Sequence, residues 1–168
     1  DAVVKSFAPA LDSLWSCSFP GVPFVFNYQT QARLIMNGDS LTLELDFSGT
    51  MPDTTKKASL LGIFGVPFTG TAQVEFDLTR DLVEGEENLS WPKTGSSSTS
   101  EIKGTALEIR QDAKKGIVLA SKGTMSSTAY GSEREQFDIN YQVAYNAKTD
   151  QFFWGYKDDE YSACKRIK

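Results

Sequence analysis

Paired carboxylates are the first residues of this chain whose type and spacing could carry out chemistry. Glu44 and Asp46 are two residues apart, as are Glu75 and Asp77, so each pair shares one face of a β-strand. Two carboxylates that face one substrate can act as acid and base in glycoside hydrolysis. The same spacing is typical of the solvated face of a strand, which is the interpretation favoured here. We therefore assign no catalytic residue and predict that the chain is not an enzyme.

Two acidic runs raise the question of a metal site. Asp158, Asp159 and Glu160 form one run and residues 81–87 contain the other, and carboxylate oxygens of this kind bind calcium. Neither run has EF-hand spacing, so we predict no metal site. The sequence has no histidine, which excludes histidine triads, histidine zinc sites and imidazole acid–base catalysis. It also lacks P-loop, GxSxG and dinucleotide-binding patterns, and no cofactor is required.

Aromatic side chains are the stronger functional indication. The chain has 11 Phe, 6 Tyr and 3 Trp, many on the apolar faces of predicted strands. They either pack an ordinary core or line a cavity for an apolar ligand, and the sequence leaves both possibilities open. The predicted lining is Phe26, Tyr28, Leu43, Leu45, Phe64, Phe68, Phe76, Tyr141, Tyr145, Phe152 and Trp154. Arg33 joins this set as a rim residue for a carboxylate or carbonyl head group, unless it lies on the wet face of its strand.

Charge and hydropathy limit the partners. The net charge of −5 argues against a nucleic acid or an anionic membrane as partner, because both require a basic surface. No segment approaches the ~18–20 apolar residues that a membrane span requires. With 168 residues and 40% hydrophobic content, the chain is expected to fold as one domain with a sizeable core.

Two cysteines and one sequon bear on the compartment. Cys17 and Cys164 lie near opposite ends, and in an oxidising compartment they would close almost the whole chain into one loop. The alternative is two unrelated buried thiols. Asn88 begins an Asn-Leu-Ser glycosylation sequon, and the chain begins at Asp1 without Met, as a mature secreted chain does. Together these features predict a secreted glycoprotein with a Cys17–Cys164 disulfide.

Period-two alternation of apolar and polar residues dominates the sequence. It is clearest over 137–145, where large apolar residues alternate with polar ones. Asn37-Gly38 is a strong hairpin signal. Similar alternation predicts strands over 24–36, 40–49, 71–78, 102–110, 116–126 and 151–156. We predict an all-β, mainly antiparallel fold of about eight or nine strands with a short N-terminal helix, as a strongly curved sheet or an up-and-down barrel.

The whole chain, 1–168, is predicted to be a single domain with three parts. Residues 1–16 form the N-terminal helix, 24–156 form the antiparallel sheet or barrel, and 157–168 form a C-terminal tail that carries Cys164.

Two internal segments depart from the strand pattern. Residues 79–100 are polar and predict a long surface loop. Residues 58–70 are apolar yet contain three glycines and a proline, which favours either a buried irregular connection or a flexible flap over a ligand.

Two short stretches and one cysteine resemble ependymin-related proteins. Tyr-Gln-Thr-Gln-Ala-Arg-Leu-Ile, residues 28–35, resembles an early strand of that family, in which a tyrosine precedes an arginine-rich alternating strand. Tyr-Ser-Ala-Cys-Lys-Arg-Ile, residues 161–167, resembles its cysteine-containing C terminus, and Cys17 matches its N-terminal cysteine. The family's further cysteines and Trp-Glu-Gly motif are missing here. The resemblance implies a curved antiparallel sheet over a hydrophobic pocket, secretion, glycosylation, frequent dimerisation, and lipid or carotenoid binding with calcium-influenced behaviour.

The sequence thus predicts a secreted carrier that binds an apolar small molecule, such as a fatty acid, lipid, retinoid or carotenoid, in an aromatic-lined cavity. Binding would be driven by burial of the ligand's apolar surface. A bound lipid or carotenoid would be cargo. Two alternatives are a self-associating structural or adhesive module, as a homo- or heterodimer, and a histidine-free barrel enzyme that acts on a lipid-like substrate, such as a cyclase.

Overall fold

Ten antiparallel strands form one closed barrel. The computed structural model describes residues 2–18, 27–51, 65–128 and 134–167. The strands are β1 (Trp15–Ser18), β2 (Asn27–Asn37), β3 (Ser40–Met51), β4 (Val66–Asp77), β5 (Leu82–Trp91), β6 (Ser96–Asp112), β7 (Gly116–Thr128), β8 (Arg134–Asn146), β9 (Gln151–Lys157) and β10 (Glu160–Arg166). Each strand pairs with its neighbours in sequence, and β1 also pairs with β10. The predicted all-β antiparallel fold is confirmed, as a closed barrel rather than a half-open sheet.

The β2–β3 hairpin has the position that the sequence predicts. Asn37 pairs with Ser40, which leaves Gly38 and Asp39 as the two loop residues. Gly38 has φ +64°, a left-handed conformation that costs glycine little because it has no Cβ atom. Leu34 and Leu43 are fully buried directly opposite each other, so both face the barrel interior.

Two segments that the sequence predicts to be irregular are strands. The predicted loop at 79–100 is largely β5 and the start of β6, and the predicted tail at 157–168 is largely β10. Small or charged residues occupy inward positions in these strands, which hides the apolar alternation. In the apolar segment 58–70, residues 66–70 belong to β4 and pair with β3, and residues 58–64 lie outside the described residues.

The N-terminal helix is shorter than predicted. The helix α1 spans Ala2–Phe7 and a 3₁₀ turn spans Ala8–Ala10. Leu11 is already extended and Asp12 has φ +63°, so helical geometry ends there. Among the described residues, no helix is long enough and apolar enough to cross a membrane.

Helix α1 covers one end of the barrel, which we call the helix end. Val3 and Phe7 are buried against the interior cluster, and α1 contacts β7 and β8. The Trp15 indole donates a hydrogen bond to the Ala10 carbonyl at 3.2 Å, which ties this segment to β1. The β5–β6 and β9–β10 turns lie at the opposite end, which we call the loop end.

A disulfide joins the two strands that close the barrel. Cys17 on β1 is directly opposite Cys164 on β10, with their Cα atoms 4.0 Å apart, and the two form the predicted disulfide. The junction of β1 and β10, which we call the seam, is also stabilised by Arg166 at the helix end. Its guanidinium donates to Asp150 at 2.7 and 3.0 Å and lies 4.5 Å from the Trp15 ring centroid. Hydrogen bonds from Arg166, and then from the Tyr145 hydroxyl, lower the pKa of Asp150 to about 2.

Candidate binding site inside the barrel

The inward-facing aromatic rings form two groups. The helix-end group consists of Trp15, Tyr145 and Phe152. The Trp15 ring centroid is 5.6 Å from that of Phe152 and 6.1 Å from that of Tyr145. The Tyr145 hydroxyl donates to Asp150 at 2.8 Å, and the Trp15 indole is already paired with Ala10. With its polar atoms satisfied and α1 at the same end of the barrel, this group closes the helix end.

The second group lies between the helix-end group and the loop end, and we call it the central aromatic group. Its members are Tyr28, Phe47, Phe68, Phe76, Trp91, Tyr141, Trp154 and Tyr156. Neighbouring rings have centroids 5.4–6.4 Å apart, in tilted or edge-to-face arrangements that aromatic quadrupoles favour. These side chains come from β2, β3, β4, β5, β8 and β9, so barrel closure brings them together.

A carboxyl group lies among the rings of the central aromatic group. Glu87 on β5 is only 6% exposed, and its register partners Ala72 and Ser100 are buried as well. The Tyr156 hydroxyl donates a hydrogen bond to Glu87 Oε2 at 2.8 Å. Among the residues that the structure describes, Tyr156 is the one hydrogen-bond donor to this carboxyl.

Burial controls the protonation of this site. It raises the pKa of Glu87 from 4.5 to about 7, and the hydrogen bond from Tyr156 offsets part of that rise. The pKa values of Tyr28, Tyr141 and Tyr156 are raised as well, first by burial and then by the charge of Glu87. The phenols therefore stay protonated, and Glu87 changes charge near neutral pH.

Four buried polar atoms on inward-facing residues are unpaired, and two of them are close to Tyr156. Tyr141 Oη, Trp154 Nε1, Thr30 Oγ1 and Ser162 Oγ have no hydrogen-bond partner within the described part of the chain. All four belong to inward-facing positions, by strand alternation with their buried neighbours. The Tyr141 and Trp154 ring centroids are 5.6 and 5.4 Å from that of Tyr156. Two unpaired donors, Tyr141 and Trp154, therefore lie next to the residue that binds Glu87, and burying such groups without partners is unfavourable.

The predicted cavity lining is largely inward-facing in the structure. Leu43, Leu45, Tyr28, Phe68, Phe76, Tyr141, Tyr145, Phe152 and Trp154 occupy inward positions, divided between the two aromatic groups and the packing around them. Phe26 and Phe64 lie outside the described residues.

Arg33 is not at the rim of the interior. It is exposed on the outward face of β2, directly opposite Glu44 of β3. The reason is strand alternation, because Ala32 and Leu34 on either side of it are buried inward. The wet-face position that the sequence left open for Arg33 is therefore the one it occupies.

Of the other predicted residues, Glu44, Asp46 and the sequon residue Asn88 face solvent, whereas Asp77 is buried and accepts hydrogen bonds from Arg80. Glu44 and Asp46 are exposed, as a solvated strand face requires. Asn88 is exposed next to Glu87, and its side chain accepts a hydrogen bond from Thr99 and donates one to Glu86, both at 2.9 Å. Its glycosylation stays a prediction.

Sequence reasoning missed Glu87 and Tyr156 as site residues. The signal for Glu87 was present, because it shares its parity on β5 with the buried Val83 and Trp91. Tyr156 likewise shares a strand face with Phe152 and Trp154. An interior carboxylate interrupts apolar alternation, and such an interruption within a strand is itself an indication of a functional position.

The variant Tyr156→Phe tests the interior hydrogen bond. Removal of the hydroxyl leaves the buried Glu87 carboxyl without its donor, so we expect a loss of about 1–2 kcal/mol of stability at pH 8 and a further rise in the pKa of Glu87. Urea unfolding measures the first effect and a ¹³C NMR titration of the Glu87 side chain measures the second. An unchanged pKa would show that the hydroxyl does not stabilise the carboxylate.

Comparison with protein families, with curated proteins and with solved structures finds no match to this chain. The resemblance to ependymin-related proteins therefore stays a prediction.

Proposed function

We propose that this protein carries an apolar small molecule inside the barrel, with the polar end of the ligand at Glu87. The observation that carries the proposal is the buried carboxyl among the rings of the central aromatic group. A barrel that only needed a stable core would gain nothing from a carboxylate there, because its desolvation is costly. An apolar interior with a few convergent polar groups and one strongly shifted pKa is the usual composition of a small-molecule site.

The direction of ligand access follows from the two barrel ends. Helix α1 and the satisfied helix-end group close one end, so the ligand enters from the loop end. Phe137, near the loop end of β8, is 46% exposed and provides an apolar contact on this route. Burial of a long apolar ligand supplies about 2.5 kcal/mol per 100 Å² removed from water, less the entropic cost of association.

The closed barrel favours a carrier over an adhesive module. The large apolar face of the barrel points inward. The exposed large apolar side chains among the described residues are Ile109 on β6, Phe137 on β8 and Ile167 just after β10. A self-associating surface usually presents a contiguous apolar patch. The disulfide is compatible with an oxidising compartment, so we extend the proposal to a secreted carrier, glycosylated at the exposed Asn88.

Cargo analysis and ligand titration test the carrier function. The protein from its native source is extracted with organic solvent for mass spectrometry, and the delipidated protein is titrated with retinol, palmitic acid and β-carotene by tryptophan fluorescence. We expect an extractable apolar molecule or saturable one-to-one binding, with the outward variant Glu44→Gln behaving as wild type. A clean extract together with no saturable binding of any probe would reject the carrier function and leave self-association as the better hypothesis.

The same carboxyl favours one second candidate, a histidine-free enzyme for an apolar carbonyl compound. A carboxyl group with a pKa of about 7 is suited to proton transfer, and the unpaired Tyr141 and Trp154 donors are suited to a developing oxyanion. Turnover of an extracted cargo or an offered enone, lost in Glu87→Gln, would establish this candidate instead of a passive carrier.

A further inference from the structure

We propose that the interior site selects ligands whose polar end is a hydroxyl group and discriminates against ligands that end in a carboxylate. This inference rests on the proposed carrier function and names the class of ligand that the site takes. It follows from three features of the described residues: an interior acceptor, interior donors without partners, and no interior cation.

The acceptor is the Glu87 carboxyl. A carboxylate has about four lone-pair positions, and the Tyr156 hydroxyl occupies one of them. A ligand O–H group can donate to another, and this bond is strengthened by the charge and by the apolar surroundings. The Glu87 carboxylate therefore favours a ligand group that can donate a hydrogen bond.

The interior donors are Tyr141 Oη and Trp154 Nε1, which are buried and unpaired in the described part of the chain. Each of these two groups can donate a hydrogen bond to an oxygen atom of a ligand. A carbonyl oxygen can accept a hydrogen bond from these donors but cannot donate one to the Glu87 carboxylate. An ammonium group can donate a hydrogen bond to Glu87 but cannot accept one from Tyr141 or Trp154. A hydroxyl group donates one hydrogen bond and accepts up to two, so it satisfies both sides of the site.

Among the residues whose burial is described, no interior cation is available to neutralise a ligand carboxylate. Lys115 is the one buried basic residue among those whose burial is described. It belongs to the outer surface of the barrel, where its ammonium donates to Gln142 at 2.7 Å and lies 4.6 Å from the Tyr161 ring centroid. A fatty-acid carboxylate in the barrel would therefore face the charge of Glu87 in apolar surroundings, which is strongly unfavourable.

Retinol and retinoic acid provide a matched pair of probes, because they share one polyene skeleton and differ at the polar end. Binding is measured by tryptophan-to-retinoid energy transfer at pH 8, where Glu87 is largely ionised. We expect wild-type protein to bind retinol at least about tenfold more tightly than retinoic acid, equivalent to about 1.4 kcal/mol. Hexadecanol and palmitic acid, measured by displacement of bound retinol, are expected to show the same order.

The variant Glu87→Gln should bring the two affinities together, because an amide keeps hydrogen-bonding capacity but carries no charge. Glu86→Gln is the matched control, since Glu86 is the preceding residue of the same strand and is exposed on the outer face. This control should keep the wild-type ratio. Should Glu87→Gln fail to fold, the order measured with wild-type protein decides by itself.

The outcomes separate the two proposals. Equal binding, or a preference for retinoic acid and palmitic acid, would overturn the hydroxyl selection and leave the carrier function standing. A preference for the alcohols that survives unchanged in Glu87→Gln would also overturn it, because the selection would then come from elsewhere. No binding of either pair, together with an extract free of apolar cargo, would reject the carrier function and this inference with it.

Discussion

Removal of the Cys17–Cys164 disulfide is expected to lower the free energy of unfolding by about 2–5 kcal/mol. The bond links residues separated by 147 positions, so it restricts almost the whole unfolded chain. In the chain-entropy treatment a loop of that size corresponds to about 5 kcal/mol, the upper end of the range. It also crosses the seam at which the barrel closes, where β1 contributes only four residues.

The double variant Cys17→Ala/Cys164→Ala measures this effect by urea unfolding. Wild-type protein in reductant is the matched control and should reach the same stability. Hydrogen exchange should show the loss locally as well, with faster exchange of backbone amides in β1 and β10 than in the β3–β4 pair. A difference below about 1 kcal/mol would mean that strand pairing and the Arg166 contacts hold the seam without the bond.

Strands with clear alternation could be read from the sequence because the two-residue period is a local property of the backbone. In β3 the residues Leu41, Leu43 and Leu45 are all buried, as their spacing predicts. The same rule puts Arg33 on the outer face between the buried Ala32 and Leu34, so the rim position predicted for it is wrong. Prediction succeeded for strands such as β3, whereas the start of β4, with buried Val66 and Phe68, was predicted to be irregular because of its glycines and proline.

Barrel closure and the interior site could not be read in this way because they depend on residues distant in sequence. The pairing of β1 with β10 joins the two ends of the chain, and nothing in either segment specifies it apart from the two cysteines. On β5 and β6 the inward positions include Glu87, Ser98 and Ser100. Small polar and charged residues at such positions look like a solvated loop in a single sequence, although here they are buried inside the barrel.

Replacement of Glu87 by Gln is expected to stabilise the unliganded protein at pH 8 by about 3 kcal/mol relative to wild type. The pKa of Glu87 rises from 4.5 in an ordinary environment to about 7 in the folded protein. Between these two values the folded state holds a proton that the unfolded state has lost, so wild-type stability falls as pH rises through this range. Above pH 7 both states are ionised and the full cost remains, at about 1.4 kcal/mol for each unit of the shift.

The difference in unfolding free energy between Glu87→Gln and wild type isolates this effect, because it cancels groups such as Asp150 whose pKa is lowered. Urea unfolding from pH 4 to pH 8 should give a difference near zero at the acidic end that grows in favour of the variant up to about pH 7. Glu86→Gln, which removes an exposed charge one residue away, should give a small difference that does not vary in this way. A wild-type protein more stable than Glu87→Gln at pH 8 would show that the carboxylate is well solvated or paired. The site would then lack the desolvated charge on which the selection of hydroxyl ligands depends, so this measurement tests the physical basis of that selection without any ligand.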